Sequence, residues 1–436
     1  MTAQAEETGP PGAQQRTATF REVFAVREFR PLFGTFLLST IGDELARVAL
    51  TVLVYQRTSS ALLSAITFGI SYLPWLVGGP VLSTLADRLP RHRVLIASDA
   101  ARALIVAGMA IPGTPLPVLL ALLLLVALCA PPFESARSAL MADVMTDDRY
   151  AVATSLTNIS LQVAQVVGFL LAGALLAGMG PSSALLLNAA TFAVSAVWLA
   201  ARLQRRPAPV DASLTGARTM WQHTVEGMQL IARTPRLRAI IALLWVGTFF
   251  VYASEGIAAP LIRELGQGTT AVGVLLAANP LGVTIGGLVL ARLVRPDLRE
   301  RLVPLLVVVS LVPLVLVGVV GNLLSAGGLS YGLVVALMFV SGLGAAWSIP
   351  LNVAFVQAVP ASFRGRAFGV AVAGLYGTQG LGVVAAGLAA EGVAPSGVVA
   401  LCGAVGLAAV VLPLLAFGRT QGHMAAHRPA AGPSVS

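Results

Sequence analysis

Apolar runs of about twenty residues recur along the whole of this 436-residue chain, and each is long enough to cross a hydrocarbon core about 30 Å thick. Backbone inside such a core must satisfy its hydrogen bonds within its own segment. Runs rich in Leu, Ala, Val and Gly can therefore cross only as helices. Charged residues make up 11% of the chain, well below the roughly 25% of soluble domains. The reading is an all-α polytopic membrane protein, which excludes an ordinary soluble fold.

A formal net charge of +9 would point a soluble chain towards nucleic acid, but here it has a topological explanation. Every basic residue is arginine, so the 28 cations can be sorted by position. On the expected topology 23 fall on one side and two (Arg57, Arg263) on the other, while three (Arg47, Arg102, Arg137) lie within spans. Arginine is retained on the cytoplasmic side of membranes, so both termini are expected there, with no nucleic-acid partner. Cys129 and Cys402 sit in apolar runs and read as packing residues.

The first 19 residues are a polar tail, expected to be disordered. Twelve spans follow at roughly 31–55, 61–84, 93–112, 116–140, 151–177, 182–203, 237–262, 271–293, 302–322, 329–357, 367–390 and 396–417, and residues 418–436 form a second loose tail. The one long connection, 204–236, divides a first half (20–203) from a second (237–417). Within it Trp221, Val225, Met228 and Ala232 share one helical face. Arginines flank that stripe, so it reads as an amphipathic helix on the cytoplasmic membrane surface.

Six spans, a linker and six more spans look like a duplication. A shift of 208 residues lays Gly78-Gly79 on Gly286-Gly287, Arg91 on Arg299 and Arg93 on Arg301. A shift of 215 lays Val144 on Val359 and Arg149 on Arg364. An even number of spans per half makes the repeats parallel, a transporter arrangement with the substrate site between the halves. Enzyme signatures such as G-x-x-x-x-G-K-[ST], H-E-x-x-H and G-x-S-x-G do not occur, and the four histidines have no ligand spacing. The chain is therefore read as no enzyme, with no cofactor and no metal, drawing its energy from a gradient.

The turn between spans two and three, Ser83-x-x-x-Asp87-Arg88-x-Pro90-Arg91-His92, carries more charge than a tight connection needs. It resembles the loop 2–3 signature of the major facilitator superfamily, and the chain resembles that superfamily over nearly its whole length. Within it, Ile41-Gly42-Asp43, Pro132-Phe133-Glu134-Ser135-Ala136-Arg137 and Arg364-Gly365-Arg366 are most similar to bacterial exporters of the enterobactin-exporter type. Ser83, Pro90 and His92 depart from the usual glycines and fixed cation. The resemblance implies a cytoplasmic latch in which Asp87, with Arg88, faces the start of span eleven near Arg364 and Arg366, and Asp143 relays to Arg91. The alternative is a turn that only sets topology.

Three charges in one turn of span one, Asp43, Glu44 and Arg47, lie about 13 residues in, near the midplane. Each costs roughly 2.5–3.5 kcal/mol there, so they must face a wet cavity and pair. Either carboxylate can neutralise Arg47 by its spacing, leaving the other to exchange a proton. Asp43 is preferred for that role because the Gly-Asp pair carries the family resemblance. Asn158, Gln162 and Gln165 form a polar stripe on span five, and Glu255 in span seven falls on Arg47 under the 208-residue shift. Glu134 and Arg137 lie towards the inner end of span four and read as gate or relay residues. Asp99 and Arg102 read as a structural pair. Gly168-Phe169-x-x-Ala172-Gly173 resembles the exporters' antiport signature, with Phe and Ala substituted.

The expected function is export of a small amphipathic molecule (a drug, siderophore or secondary metabolite) from a bacterial cytoplasmic membrane by alternating access and proton antiport, the protein acting as a monomer in the lipid bilayer. An importer of a polar nutrient and a non-transporting receptor on the same scaffold are the alternatives. Aromatic residues are only 6% of the chain, which leans towards export. If the loop is a latch, Asp87→Asn lowers the maximal transport rate more than the apparent substrate affinity; unchanged turnover would leave the loop a topological turn.

Overall fold

A computed structural model describes residues 19–77, 89–145, 147–207, 217–360 and 363–426, and among these every regular element is helical. The twelve expected spans all fall on helix within the described residues. They lie on Phe29–Thr58, Ala61–Gly69 with Leu73–Val77, Arg91–Met109, Leu116–Leu128 with Ala130–Val144, Asp147–Gly178, Gly180–Arg202, Pro235–Tyr252 with Ala258–Glu264, Thr270–Leu293, Val303–Leu323, Gly328–Ala345 with Ser348–Ala358, Arg364–Ala389, and Pro395–Ala409 with Val411–Ala426. Nine of these helices are long and apolar enough to cross a membrane, counting broken pairs as one. The others are spans one to three. Spans one and three carry charges near their middles, and span two is described only to Val77. Asp87 and Arg88 lie outside the described residues.

Two boundaries differ from expectation. The last helix continues to Ala426, past the point at which the sequence reading begins a loose tail. Thr19, placed in the opening tail, is instead the N-cap of Phe20–Ala25, and its side chain and that of Glu22 cap each other's backbone.

The packing repeats between the halves. Phe29–Thr58 packs on Asp147–Gly178 and Gly180–Arg202, and Arg91–Met109 packs on Gly180–Arg202. In the second half Pro235–Tyr252 packs on Arg364–Ala389 and Pro395–Ala409, and Val303–Leu323 packs on Pro395–Ala409. Two seams join the halves, span five against span eight and span two against span eleven. Moving each partner on by six spans turns one seam into the other, the pairing expected of a duplicated bundle.

Glycine makes both seams close. A Cβ at Gly173 would lie 2.5 Å from the Thr270 carbonyl oxygen, and one at Gly273 only 2.2 Å from that of Phe169. At the other seam a Cβ at Gly387 would meet Ala65 at 2.3 Å. The side of the bundle opposite the linker adds polar ties. Glu391 accepts hydrogen bonds from the Ser60 hydroxyl at 2.7 Å and the Leu62 N–H at 2.8 Å. Those donors, Leu62 N–H first, hold the Glu391 carboxyl below the usual carboxylate range. Arg263 reaches Ser59 at 3.5 Å and lies over the Tyr55 ring.

The linker is anchored rather than laid on lipid alone. Its helix Ala217–Arg233 packs on Arg364–Ala389. Glu226 pairs with Arg366 at 2.6 Å, and Gly227 sits where a Cβ would be 2.7 Å from the Arg366 carbonyl oxygen.

Gly282 and Gly286 meet the span-ten backbone; a Cβ at Gly282 would lie 2.2 Å from the Phe339 carbonyl oxygen. Gly282→Ala should therefore cost about 1–3 kcal/mol, read as a lower unfolding temperature in detergent. Gly369→Ala, with nothing within 4 Å of the added carbon, should be neutral or stabilising because alanine is the better helix former.

Candidate functional site

A cavity of about 490 Å³ lies between the halves, and it gathers charge from four expected spans. Four carboxylates (Asp43, Glu44, Glu134, Glu255) and three arginines (Arg47, Arg102, Arg137) line it. Gly42 sets the approach of span one to span six: a Cβ there would stand 2.2 Å from Asn188 Oδ1 and 2.5 Å from Thr191 Oγ1. With that face against span six, Asp43 turns to the cavity and Glu44 turns towards span five. Gly168 receives Glu44, since a Cβ at 168 would be 2.7 Å from the glutamate's own Cβ.

Each arginine is matched to a carboxylate three residues before it. Arg47 meets Glu44 at 3.0 Å, Arg102 meets Asp99 at 3.7 Å, and Arg137 meets Glu134 at 2.6 Å in a bidentate contact. Rings cover the guanidinium groups: Phe68 and Tyr72 for Arg47, Phe133 and Phe192 for Arg102, and Phe36 for Arg137. The Glu44–Arg47 contact is an electrostatic pair rather than an aligned hydrogen bond, because Glu44 Oε2 is buried without a hydrogen-bond partner. Gln165 donates to Glu44 Oε1 at 3.4 Å. Among the described residues this leaves Asp43 and Glu255 as the cavity carboxylates with no ion pair. Asp43 feels Arg102 and Arg47, and Glu255 feels Arg47 from across the cavity.

Most of the expected cavity residues come together. Asn158, Gln162 and Gln165 line it with Asp43, Glu44, Arg47 and Glu255. Glu134 and Arg137, read as gate or relay residues, line the same cavity. On the linker side Arg91 pairs with Asp143 and also donates to the Ala139 carbonyl at 3.3 Å. Arg364 is exposed, and Arg366 is engaged with Glu226 of the linker. Asp87 and Arg88 lie outside the described residues.

Sequence reasoning missed six contributors. Arg102 reaches the cavity, although its partner Asp99 is fully buried and hydrogen-bonded by Ser195. Tyr72 and Trp75 of span two stack on Tyr376 of span eleven, with ring centroids 5.9 and 5.1 Å apart, so one aromatic wall spans both halves. Asn279 and Gln379 complete the second half's polar lining. Asn279-Pro280 within an apolar run was the available signal. Low overall aromatic content does not describe the cavity, which is aromatic-walled, so that composition gives no direction of transport.

The Major Facilitator Superfamily model matches residues 32–329, and the chain belongs to that superfamily. It is a multi-pass membrane protein of the transporter class. It is similar to an uncharacterized MFS-type transporter, YfiS, of Bacillus subtilis, 26% identical over 385 residues covering 85% of this chain and 89% of the relative. It is also similar to the multidrug efflux pump Tap of Mycolicibacterium fortuitum, 27% identical over 374 residues covering 81% and 87%. A peptide transporter, POT, in complex with alafosfalin shares the fold with a TM-score of 0.70 at 17% identity, covering 93% of this chain and 96% of that one. The nucleoside transporter NupG does so with a TM-score of 0.69 at 13% identity, covering 89% and 100%.

Removing Arg47 would strand Glu44, which is 3% exposed. Arg47→Ala should therefore destabilise the protein by about 3–5 kcal/mol, whereas the double variant Glu44→Gln, Arg47→Met should recover most of that loss in thermal unfolding.

Proposed function

We propose that this transporter exports a small amphipathic compound in exchange for protons, by alternating access of the cavity between the halves. The observation that carries the proposal is the charge balance of the cavity. Its three arginines are each matched by a carboxylate one turn away, and Asp43 remains beside them with none of its own. A carboxylate so placed is neutral when protonated and strengthens the cavity's hold on a cation or polar group when ionised. Proton and substrate then compete for one charge, the simplest linkage for antiport. Glu255, the other unmatched carboxylate, adds to the same field from the second half.

The cavity suits an amphipathic guest. The Tyr72–Tyr376–Trp75 wall offers stacking area, and Asn158, Gln162 and Gln379 offer adjustable hydrogen bonds. Similarity to the Tap efflux pump supports export over import. Positive-inside arginine places the linker in the cytoplasm, so the ties at Ser59–Leu62 lie outside, and rocking the halves would break them to release substrate. One proton moving down about 100 mV supplies about 2.3 kcal/mol, enough for roughly a 50-fold gradient of a neutral compound. Arg91–Asp143 and the turn bearing Asp87 would govern the cytoplasmic gate.

Expression in a sensitive strain, screened against a panel of toxic amphipathic compounds, should raise tolerance to at least one of them. Inverted membrane vesicles should then accumulate that compound when a pH gradient is imposed. Asp43→Asn should remove the pH-driven component while the protein stays in the membrane. Wild-type coupling in that variant would take the role away from Asp43, and sensitivity unchanged across the panel would remove the export reading.

A further inference from the structure

Behind the main cavity, in the second half, a separate pocket of about 20 Å³ is walled by Ser254, Glu255, Leu276 and Asn279 among apolar neighbours that include Val251, Leu275 and Met338. The space suits one water-sized occupant. Glu255 and Asn279 also line the main cavity, so the pocket stands directly off the transport route.

Three of its nine lining side chains carry oxygen: Ser254, Glu255 and Asn279. Asn279 is 9% exposed, and its Oδ1 has no hydrogen-bond partner. An acceptor left bare in an apolar interior costs of the order of 1–3 kcal/mol, so it calls for an occupant. Ser254 is equally buried, and its hydroxyl has only a long contact, 3.5 Å, to the Val251 carbonyl. Pro280 follows Asn279 inside Thr270–Leu293. Proline has no N–H, so it withholds the helical hydrogen bond from the carbonyl four residues back, that of Leu276, which is another wall of the pocket. On the facing helix the α-helical pattern gives way to a 3-10 turn over Ala253–Ile257, which brings Ser254 and Glu255 to the pocket together.

We infer that this pocket is a binding site for a monovalent hard cation, sodium, held by the Glu255 carboxylate with Asn279 Oδ1, Ser254 Oγ and the Leu276 carbonyl. Oxygen donors select hard cations, and divalent ions of that kind usually draw on more than one carboxylate, whereas this pocket has one. No group of three His, Cys, Asp or Glu side chains that could hold a metal ion occurs among the described residues, and this pocket offers neither imidazole nor thiolate to a softer metal. A cation here would neutralise Glu255 and place positive charge behind the cavity wall, opposite Arg47. The second half would then take sodium as the first half takes a proton at Asp43. That pairing rests on the transporter reading above, but the binding does not.

Purified protein in detergent is titrated with sodium chloride against choline chloride at constant ionic strength, following thermal unfolding and binding of radiolabelled sodium. The wild type should show a saturable rise in unfolding temperature with sodium and none with choline. Asn279→Ala and Ser254→Ala should weaken apparent sodium affinity by roughly tenfold or more. Asn279→Asp, which keeps the oxygen and adds a charge, should retain a cation response and extend it to calcium, and it decides the matter if the alanine variants do not fold. Asp43→Asn should keep the sodium response in full, so failure of the proton reading and of this one are separable. An equal response to choline, no bound sodium, or wild-type affinity in Asn279→Ala would make the pocket a water site and overturn the inference.

Discussion

Ionised side chains in a bilayer must be neutralised nearby, and in this protein the neutralising partner comes from the same helix. An arginine three residues after a carboxylate shares its face, so the pair is formed as soon as the helix forms and needs no other span in place. Glu44–Arg47, Asp99–Arg102 and Glu134–Arg137 all follow this rule, on three separate helices of the first half. The consequence is a cavity whose arginines are already matched before a substrate enters. The charge left over resides on the carboxylates that lack such a neighbour, Asp43 and Glu255.

The two halves meet through glycine. At both seams the added carbon of an alanine would fall within 2.5 Å of an atom across the interface. Without a hydrophobic drive between helices in lipid, such close backbone approach is the main source of association. Aromatic stacking of Tyr376 on Tyr72 and Trp75 adds a bridge that a rocking movement must part.

Much of the architecture was legible because lipid leaves few choices, and apolar length reports spans. The cluster at Asp43, Glu44 and Arg47 stood out because charge in an apolar run is costly. The identity of the paired carboxylate was not legible. Spacing allowed either, and Gly42 against Asn188 and Gly168 against Glu44 fix the rotation that gives Arg47 to Glu44. That Glu134 and Arg137 line the cavity was not legible, because Ala130–Val144 begins after a break at Cys129 that no spacing announces. The aromatic wall escaped notice because its members come from helices far apart in sequence, and no local pattern announces them.

The linker has a mechanical meaning beyond its amphipathic face. Its first residues are fastened to the first half, where Glu28 takes the Gln204 N–H and the Arg206 guanidinium. Burial alone would push the Glu28 carboxyl up, yet these donors hold it below its ordinary value, so the fastening is charged at neutral pH. The later part is fastened to the second half through Glu226–Arg366 and Arg236–Glu300. Eleven peptide steps separate Arg206 from Ala217, where the linker helix begins. Fully extended, eleven steps reach about 36–40 Å, which caps the distance between Arg206 and the start of that helix. Lengthening or shortening this connection would change how far apart the halves can move without touching a single residue of the cavity.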